Sequence, residues 1–227
     1  MYPKLILIGL FVGSMILMSW RHDRKKKVLF FGDSITEQGV KPGGYVTRVD
    51  SLMRSEGLVD KYEIIGAGIS GNKVYDLYLR MENDVLAQSP DIVVIFIGVN
   101  DVWHKRSLGT GTDFDKFGKF YEAIVHKLRA ANIKVIVCTP AAIGERNDNS
   151  NELDGDMNLY SNWIRGYAAK EGLDVVDLRK LFIDYNLHNN PSNKESGILT
   201  RDKVHLNDKG NELVAEAMWN IVKGVKA

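Results

Sequence analysis

The fold class follows most directly from the segment Ile92-Val93-Val94-Ile95-Phe96-Ile97-Gly98-Val99-Asn100-Asp101. Its first six residues are apolar and most of them are β-branched, which is typical of a strand buried on both faces of a parallel sheet. A glycine and two polar residues follow this run. Because ligands bind at the carboxyl ends of the strands in such sheets, the segment predicts a central strand and a functional position directly after it.

Apolar runs of the same kind alternate with helix-period segments along the rest of the chain, a pattern that predicts an α/β domain with a parallel sheet. The predicted strands are Val28–Phe31, Glu63–Ile65, Ile92–Ile97, Ile133–Cys138 and Asp174–Val176. The predicted helices are Gly44–Ser55, Lys73–Gln88, Asp113–Ala131, Leu153–Glu171 and Asn207–Val225. Right-handed crossovers would place these helices on both faces of the five-stranded sheet. The polar segments 141–155 and 186–199 are predicted loops.

The composition fits one globular domain. The chain has 227 residues, of which 44% are hydrophobic and 26% are charged, enough to bury a sizeable core without disulfides or metals. The single cysteine, Cys138, lies in an apolar run and is predicted to be a buried strand residue, not a nucleophile. No cluster of paired Cys and His residues suggests zinc, and we expect neither a metal nor an organic cofactor.

The N-terminal residues differ in charge from the rest of the chain. Residues 1–27 carry six Lys or Arg against one acidic residue, whereas residues 28–227 carry 24 basic and 28 acidic residues, a net charge of −4. That balance argues against a nucleic-acid-binding face on the folded domain. We therefore divide the chain into an N-terminal targeting segment, residues 1–27, and one domain, residues 28–227.

The targeting segment contains sixteen residues without a charge, 5–20, between Lys4 and a basic run. This length is slightly long for the apolar core of a signal peptide and slightly short for a membrane-spanning helix. If the segment is cleaved, the domain is exported to the periplasm or secreted. If it is retained, it would tether the domain to the membrane with the basic flank on the cytoplasmic side. We favour export, and the sequence leaves the oligomeric state open.

Two glycine-containing segments follow the first two predicted strands. Ser34 lies in Gly32-Asp33-Ser34-Ile35, a position that is also typical of a helix N-cap or a turn. Gly68 lies in Gly66-Ala67-Gly68-Ile69-Ser70-Gly71, which matches the GxGxxG pattern of dinucleotide-binding sites. That interpretation lacks the acidic residue expected at the end of the next strand. We therefore favour a glycine whose backbone N–H points into a catalytic cleft.

Three polar side chains complete the candidate site. Asn100 offers an uncharged N–H donor directly after the central strand, as stabilisation of an oxyanion requires, although Asn-Asp is also common in ordinary turns. His205 follows Asp202 by three residues just before the last predicted helix, so the carboxylate can bind one ring nitrogen and leave the other free. Trp103 and Asp33 are placed to border a substrate pocket.

In this order, the four segments resemble the SGNH hydrolase family, also called the GDSL-like lipase/acylhydrolase family. The resemblance extends from Val28 to about Val225 and implies a flavodoxin-like three-layer α/β/α sandwich, the SGNH hydrolase fold. The sequence departs from the family pattern at two positions. The first block ends in Ile35 instead of leucine, and the second has Gly66 where many relatives have asparagine.

The resemblance also implies roles for the candidate residues. It implies that Ser34 is the nucleophile, His205 the base and Asp202 its orienting acid, with Ser34, Gly68 and Asn100 as oxyanion donors. The implied reaction is hydrolysis of a small-molecule carboxylic ester through an acyl-enzyme. Because segment 141–158 is polar and no long apolar lid is visible, we expect acetyl or other short acyl groups on sugars or other small alcohols.

Two other interpretations stay open at this point. The family also includes lysophospholipases and thioesterases, which would act on longer acyl chains. A membrane-tethered binding module that has lost catalysis would keep the fold, but it would have no reason to keep the four polar residues of the candidate site together.

Overall fold

The computed structural model describes residues 24–225, so most of the predicted targeting segment, residues 1–23, lies outside the described residues. Within the described part of the chain, five parallel strands form one sheet in the order β2-β1-β3-β4-β5. The strands are β1 (Lys26–Gly32), β2 (Tyr62–Gly68), β3 (Ile92–Phe96), β4 (Lys134–Cys138) and β5 (Asp174–Val176). This order is that of flavodoxin-like folds, and it confirms the predicted five-stranded parallel sheet.

The apolar residues of β3 explain why this strand lies in the middle of the sheet. All five of its residues are buried, with Ile92 beside Val28 of β1 and Phe96 beside Cys138 of β4. A strand that is covered on both faces gains from every side chain, roughly 1.5–3 kcal/mol for each large apolar residue relative to exposure. Because β3 is the middle strand of the sheet, its carboxyl end lies at the centre of the edge at which the five strands end.

Helices cover both faces of the sheet. The α-helices of residues 24–225 are α1 (Ser34–Gly39), α2 (Tyr45–Ser55), α3 (Val74–Asp84), α4 (Val99–Ser107), α5 (Phe114–Ala130), α6 (Asp154–Glu171), α7 (Leu178–Asn189) and α8 (Asp208–Val222). On one face α2 packs against α8, and on the other α3 packs against α5 while α5 and α6 contact β4. The three-layer sandwich implied by the resemblance is thus confirmed. None of the helices within residues 24–225 is both long enough and apolar enough to cross a membrane.

The structure differs from the sequence prediction mainly at three helices that the patterns do not predict: α1, α4 and α7. With six and nine residues, α1 and α4 are too short to show a clear apolar period. Helix α7 occupies the start of the predicted loop 186–199 and is capped by Asp177, whose Oδ1 accepts the N–H of Lys180 at 3.3 Å. Strand β1 begins at Lys26, two residues before the predicted domain boundary.

Cys138 ends β4 and is fully buried, which confirms its predicted place in a strand. Burial raises the pKa of its thiol far above the usual range, so the sulfur stays protonated and unreactive at neutral pH.

Candidate active site

Ser34 lies at the carboxyl end of β1, where it is the first residue of α1. Asp33 is the N-cap of this helix, and its Oδ1 accepts the backbone N–H of Ile35 at 2.9 Å. The first N–H groups of a helix have no partner within the helix, so the backbone N–H of Ser34 can serve a ligand. The serine itself is only 6% exposed, which places its hydroxyl within the sheet edge instead of on a protruding loop.

The structure brings Ser34 together with His205 and Asp202. Ser34 Oγ lies 3.0 Å from His205 Nε2, and His205 Nδ1 lies 2.7 Å from Asp202 Oδ2. Both distances correspond to hydrogen bonds. When the N–H at His205 Nδ1 donates its hydrogen bond to Asp202, Nε2 carries no proton and can accept a hydrogen bond from the serine hydroxyl.

Asp202 holds His205 through the backbone as well as through the ring. Its Oδ1 accepts the N–H of His205 at 2.7 Å and that of Val204 at 3.2 Å. Although partial burial opposes ionisation, these bonds lower the pKa of Asp202 below its usual range, so the carboxylate is charged at neutral pH. Lys203, inside the same turn, has a φ of 81°, a left-handed conformation that costs energy in a residue with a side chain. The tight turn formed by residues 202–205 depends on this conformation.

A buried glutamate supports this turn from outside it. The Glu145 carboxylate is 1% exposed and accepts the three backbone N–H groups of residues 198–200, at 2.8, 2.7 and 2.6 Å. The neighbouring Gly144 donates its N–H to the carbonyl of Lys203 at 2.9 Å. Segment 198–205 forms neither a helix nor a long strand, and these four hydrogen bonds hold its backbone in place. No sequence pattern identifies Glu145, because its three partners lie more than 50 residues further along the chain.

Gly68 ends β2 directly against α1. A Cβ atom at this position would lie 2.1 Å from the backbone nitrogen of Glu37 and 2.7 Å from the carbonyl oxygen of Asp33, so only glycine allows the two segments to approach this closely. The close packing places Gly68 beside the segment of Ser34. It leaves no open turn at Gly68 of the kind that a dinucleotide pyrophosphate needs.

Asn100 lies in the first turn of α4, at the end of β3. It is 2% exposed, and its Nδ2 donates one hydrogen to the carbonyl oxygen of Asn72 at 3.1 Å. Because the amide has two N–H groups, one remains for a ligand. Asp101 strengthens the same connection, since its carboxylate oxygens lie 3.1 and 3.3 Å from the backbone nitrogen of Val74. These bonds tie α4 to the segment that follows Gly68.

Two buried carboxyl groups lie beneath these donors. Burial raises the pKa of Asp33 to about 7, with a further contribution from the nearby charge of Asp101, and it raises the pKa of Asp101 to about 6. Asp33 is 1% exposed and its side chain caps α1. It therefore does not border a substrate pocket, contrary to the expectation from the sequence; it fixes the start of α1 beneath Ser34.

Trp103 lines a groove of about 420 Å³ beside the turn formed by residues 202–205. The groove is lined by this half-buried indole together with mostly polar residues, among them Asn151, Glu152, Glu195 and Lys203. Lys203 belongs to the turn itself, and Trp103 follows Asn100 by one helical turn. The groove thus adjoins the turn that carries His205 and the helix that carries Asn100.

The site has the parts that acyl transfer requires. A serine hydroxyl is bonded to an imidazole, a carboxylate fixes that imidazole, and hydrogen-bond donors lie at neighbouring strand ends. Among residues 24–225, no three or more His, Cys, Asp or Glu side chains are grouped so that they could hold a metal ion.

The fold and this site define a serine hydrolase of α/β architecture, and the chain belongs to the GDSL-like Lipase/Acylhydrolase family, whose model matches residues 30–213. The match covers most of the domain and confirms the resemblance found in the sequence. The protein is accordingly an enzyme that hydrolyses carboxylic esters.

Individual relatives are esterases as well. The acetylxylan esterase of Geobacillus stearothermophilus is 31% identical over 207 residues, which cover 85% of this chain and 91% of that protein. The isoamyl acetate-hydrolyzing esterase 1 homolog of Homo sapiens is 26% identical over 216 residues, covering 87% of this chain and 81% of that protein. The crystal structure of the acetyl xylan esterase AlAXEase aligns with a TM-score of 0.85 and 63% identity, covering 86% of this chain and 99% of that one.

Proposed function

We propose that this enzyme removes acetyl or other short acyl groups from sugars, with Ser34, His205 and Asp202 as its catalytic residues. The observation that carries the catalytic assignment is the unbroken chain of hydrogen bonds from Ser34 through His205 to Asp202, at 3.0 and 2.7 Å. Support for the substrate class comes from the acetylxylan esterases among the similar proteins.

The proposed reaction has two halves. His205 Nε2 takes the hydroxyl proton of Ser34 as Oγ attacks the ester carbonyl, and Asp202 stabilises the imidazolium that results. The tetrahedral intermediate then collapses, the ester C–O bond breaks, and His205 returns the proton to the leaving alcohol. In the second half, His205 activates a water molecule that attacks the acyl-enzyme, which releases the acid and restores Ser34.

Three donors are proposed to hold the negative charge that develops on the carbonyl oxygen. They are the backbone N–H groups of Ser34 and Gly68 and the second N–H of the Asn100 amide. Such donors act strongly because they are already oriented before the charge appears, and losing one of them typically lowers kcat about 10²- to 10³-fold.

The groove beside Trp103 supports a sugar on the alcohol side of the ester. An indole face with amide and charged groups around it suits a pyranose ring, which has apolar faces and hydroxyl groups at its edge. A long acyl chain would suit it poorly. The wall of the groove contains ion pairs of Glu195 with Lys203 and with Arg146, and covering them with hydrocarbon would remove water from charged groups.

A series of p-nitrophenyl esters tests the acyl preference. We expect kcat/KM of residues 24–227 to be highest for the acetate and to fall with each step towards the dodecanoate, because the similar proteins are named for acetyl esters and the mixed polar lining of the groove offers a long acyl chain no continuous apolar surface. The measurement is initial-rate kinetics below the solubility limit of each ester. A rate that rises with chain length would instead favour a lysophospholipase or thioesterase activity.

Acetylated xylo-oligosaccharides test the alcohol side in the same experiment. With Trp103→Ala we expect the KM for these sugars to rise about ten-fold, because a ring-stacking contact is lost, while the kinetics on p-nitrophenyl acetate stay unchanged. Equal effects on both substrates would show that the indole supports the fold of α4 and does not bind sugar.

For the targeting segment, we propose that residues 1–27 act as a cleaved signal peptide that exports the domain; the alternative is a retained membrane anchor with the domain on the cytoplasmic side. The support is the uncharged stretch 5–20 between basic flanks. The full-length chain should be recovered outside the cytoplasm or with membranes, and the intact mass of the recovered protein separates cleavage from retention. A full-length protein found free in the cytosol would contradict both forms of the proposal.

A further inference from the structure

Arg80 of α3 lies where the segments of the three proposed oxyanion donors meet. Its side chain is only 14% exposed, and its guanidinium carbon lies 4.6 Å from the centre of the Phe31 ring. Three of its bonds point towards the site. Nη2 donates to the carbonyls of Gly32 at 2.7 Å and Ala67 at 3.0 Å, and Nε donates to Asn72 Oδ1 at 2.7 Å.

Each of these acceptors stands next to a different proposed donor. Gly32 precedes Ser34 by two residues, and Ala67 directly precedes Gly68. Asn72 accepts a hydrogen bond from the Asn100 amide through its backbone carbonyl, at 3.1 Å. One rigid, planar group is therefore bonded to all three segments at once, in a geometry that a flexible lysine ammonium cannot reproduce.

The remaining contact of the guanidinium points away from the site. Nη1 donates to Asp84 Oδ2 at 2.7 Å, one turn further along α3. Asp84 thus contacts only the outer side of the Arg80 guanidinium and touches none of the three donor segments. Mutation can separate the contacts to the donor segments from the contact to Asp84. A change of Arg80 removes both, whereas a change of Asp84 removes only the outer contact.

We propose that Arg80 is a positioning residue that sets the spacing between the oxyanion donors Ser34, Gly68 and Asn100. The proposal rests on the function proposed above. Donors aimed at a developing charge have to be placed within about 0.5 Å of the productive geometry. At the ends of β1 and β2 the backbone ladder finishes with one long bond, from the N–H of Ile69 to the carbonyl of Gly32 at 3.3 Å. Arg80 supplies that constraint by joining the carbonyls of Gly32 and Ala67 across the two strands.

Kinetics of Arg80→Lys test the proposal. We expect kcat on p-nitrophenyl acetate to fall about 10²-fold, the cost of a misplacement of about 1 Å, while KM stays unchanged because no ground-state contact is lost. Asp84→Asn is the matched control, since it removes the outer contact of the same guanidinium and should leave kcat close to that of the wild type. Thermal melts of all variants report any loss of folded protein.

A double-mutant cycle provides the readout that a purely structural role would not produce. If Arg80 acts through the donors, Arg80→Lys combined with Asn100→Ala should lose much less activity than the product of the two single losses. A wild-type kcat in Arg80→Lys, or losses that multiply fully, would overturn the inference. The proposed function fails by a different result, namely wild-type hydrolysis that does not depend on Ser34.

Discussion

Ser34→Ala should lower kcat on p-nitrophenyl acetate by about 10⁶-fold, because removing the nucleophile of a comparable serine hydrolase costs about that much. The mutation deletes one oxygen atom and, with it, the bond to His205 Nε2 at 3.0 Å. It leaves the backbone N–H of residue 34 in place, so the substrate should still bind and residual hydrolysis should come from the remaining donors. The measurement is steady-state kinetics, together with labelling by a fluorophosphonate probe, which should be lost entirely.

Ser161→Ala is the matched control for this result. Ser161 is a fully buried serine of α6, and its Oγ has no hydrogen-bond partner within the described part of the chain. Deleting that hydroxyl should change neither kcat nor labelling. Activity in Ser34→Ala that equals the wild type would contradict the assignment of the nucleophile and, with it, the proposed mechanism.

His205→Ala and Asp202→Ala should both lower kcat strongly, but by different factors. Loss of the base should cost about 10⁶-fold in kcat, whereas loss of the orienting acid in a comparable triad costs about 10⁴-fold. The reason is visible in the turn, where Asp202 binds His205 Nδ1 at 2.7 Å, whereas the hydrogen bond to Ser34 Oγ is made by His205 Nε2. Without Asp202 the imidazole still accepts a proton, although less often in the correct orientation.

Rescue of His205→Ala by added imidazole and a control mutation at a neighbouring acidic residue test whether these losses come from the assigned roles. Imidazole added at millimolar concentration should restore part of the activity of His205→Ala and none of that of Ser34→Ala. Asp208→Ala is the control for Asp202→Ala, because Asp208 begins α8 nearby and its side chain is almost fully exposed. If His205→Ala keeps wild-type turnover, a different residue acts as the base. If Asp202→Ala equals His205→Ala in its effect, the carboxylate does more than orient the ring.

The sheet and the four short segments could be predicted because their signals are local. The apolar run of β3 and the glycine that ends β2 are visible within a few residues, and the spacing from Asp202 to His205 lies within one turn. The departure at Gly66, in contrast, is explained by a residue that is distant along the chain, since a Cβ at this position would lie 2.5 Å from a side-chain carbon of Val40.

The supporting contacts could not be predicted, because they join distant parts of the chain through backbone groups. Arg80 reaches a carbonyl 48 residues earlier, and Glu145 binds N–H groups that follow it by 53 to 55 residues. A carbonyl or an N–H carries no side-chain identity, so no residue type at those positions reveals the partner. The pocket role expected for Asp33 fails for a related reason: a polar residue after a strand can face inwards as a helix cap just as well as outwards.

The packing of α8 on α2 determines when the enzyme first becomes competent during its synthesis. Trp219 of α8 and Lys223, which directly follows α8, both donate hydrogen bonds to Glu56, which directly follows α2, at 3.0 and 2.8 Å. His205 leads into α8, so the base reaches Ser34 only when this late segment has left the ribosome and docked. His205 follows Ser34 by 171 residues, so at about 5–20 residues per second it is synthesised roughly 9 to 34 s after the nucleophile. Ser34 therefore lacks its base until the last part of the chain has been made and α8 has docked on α2.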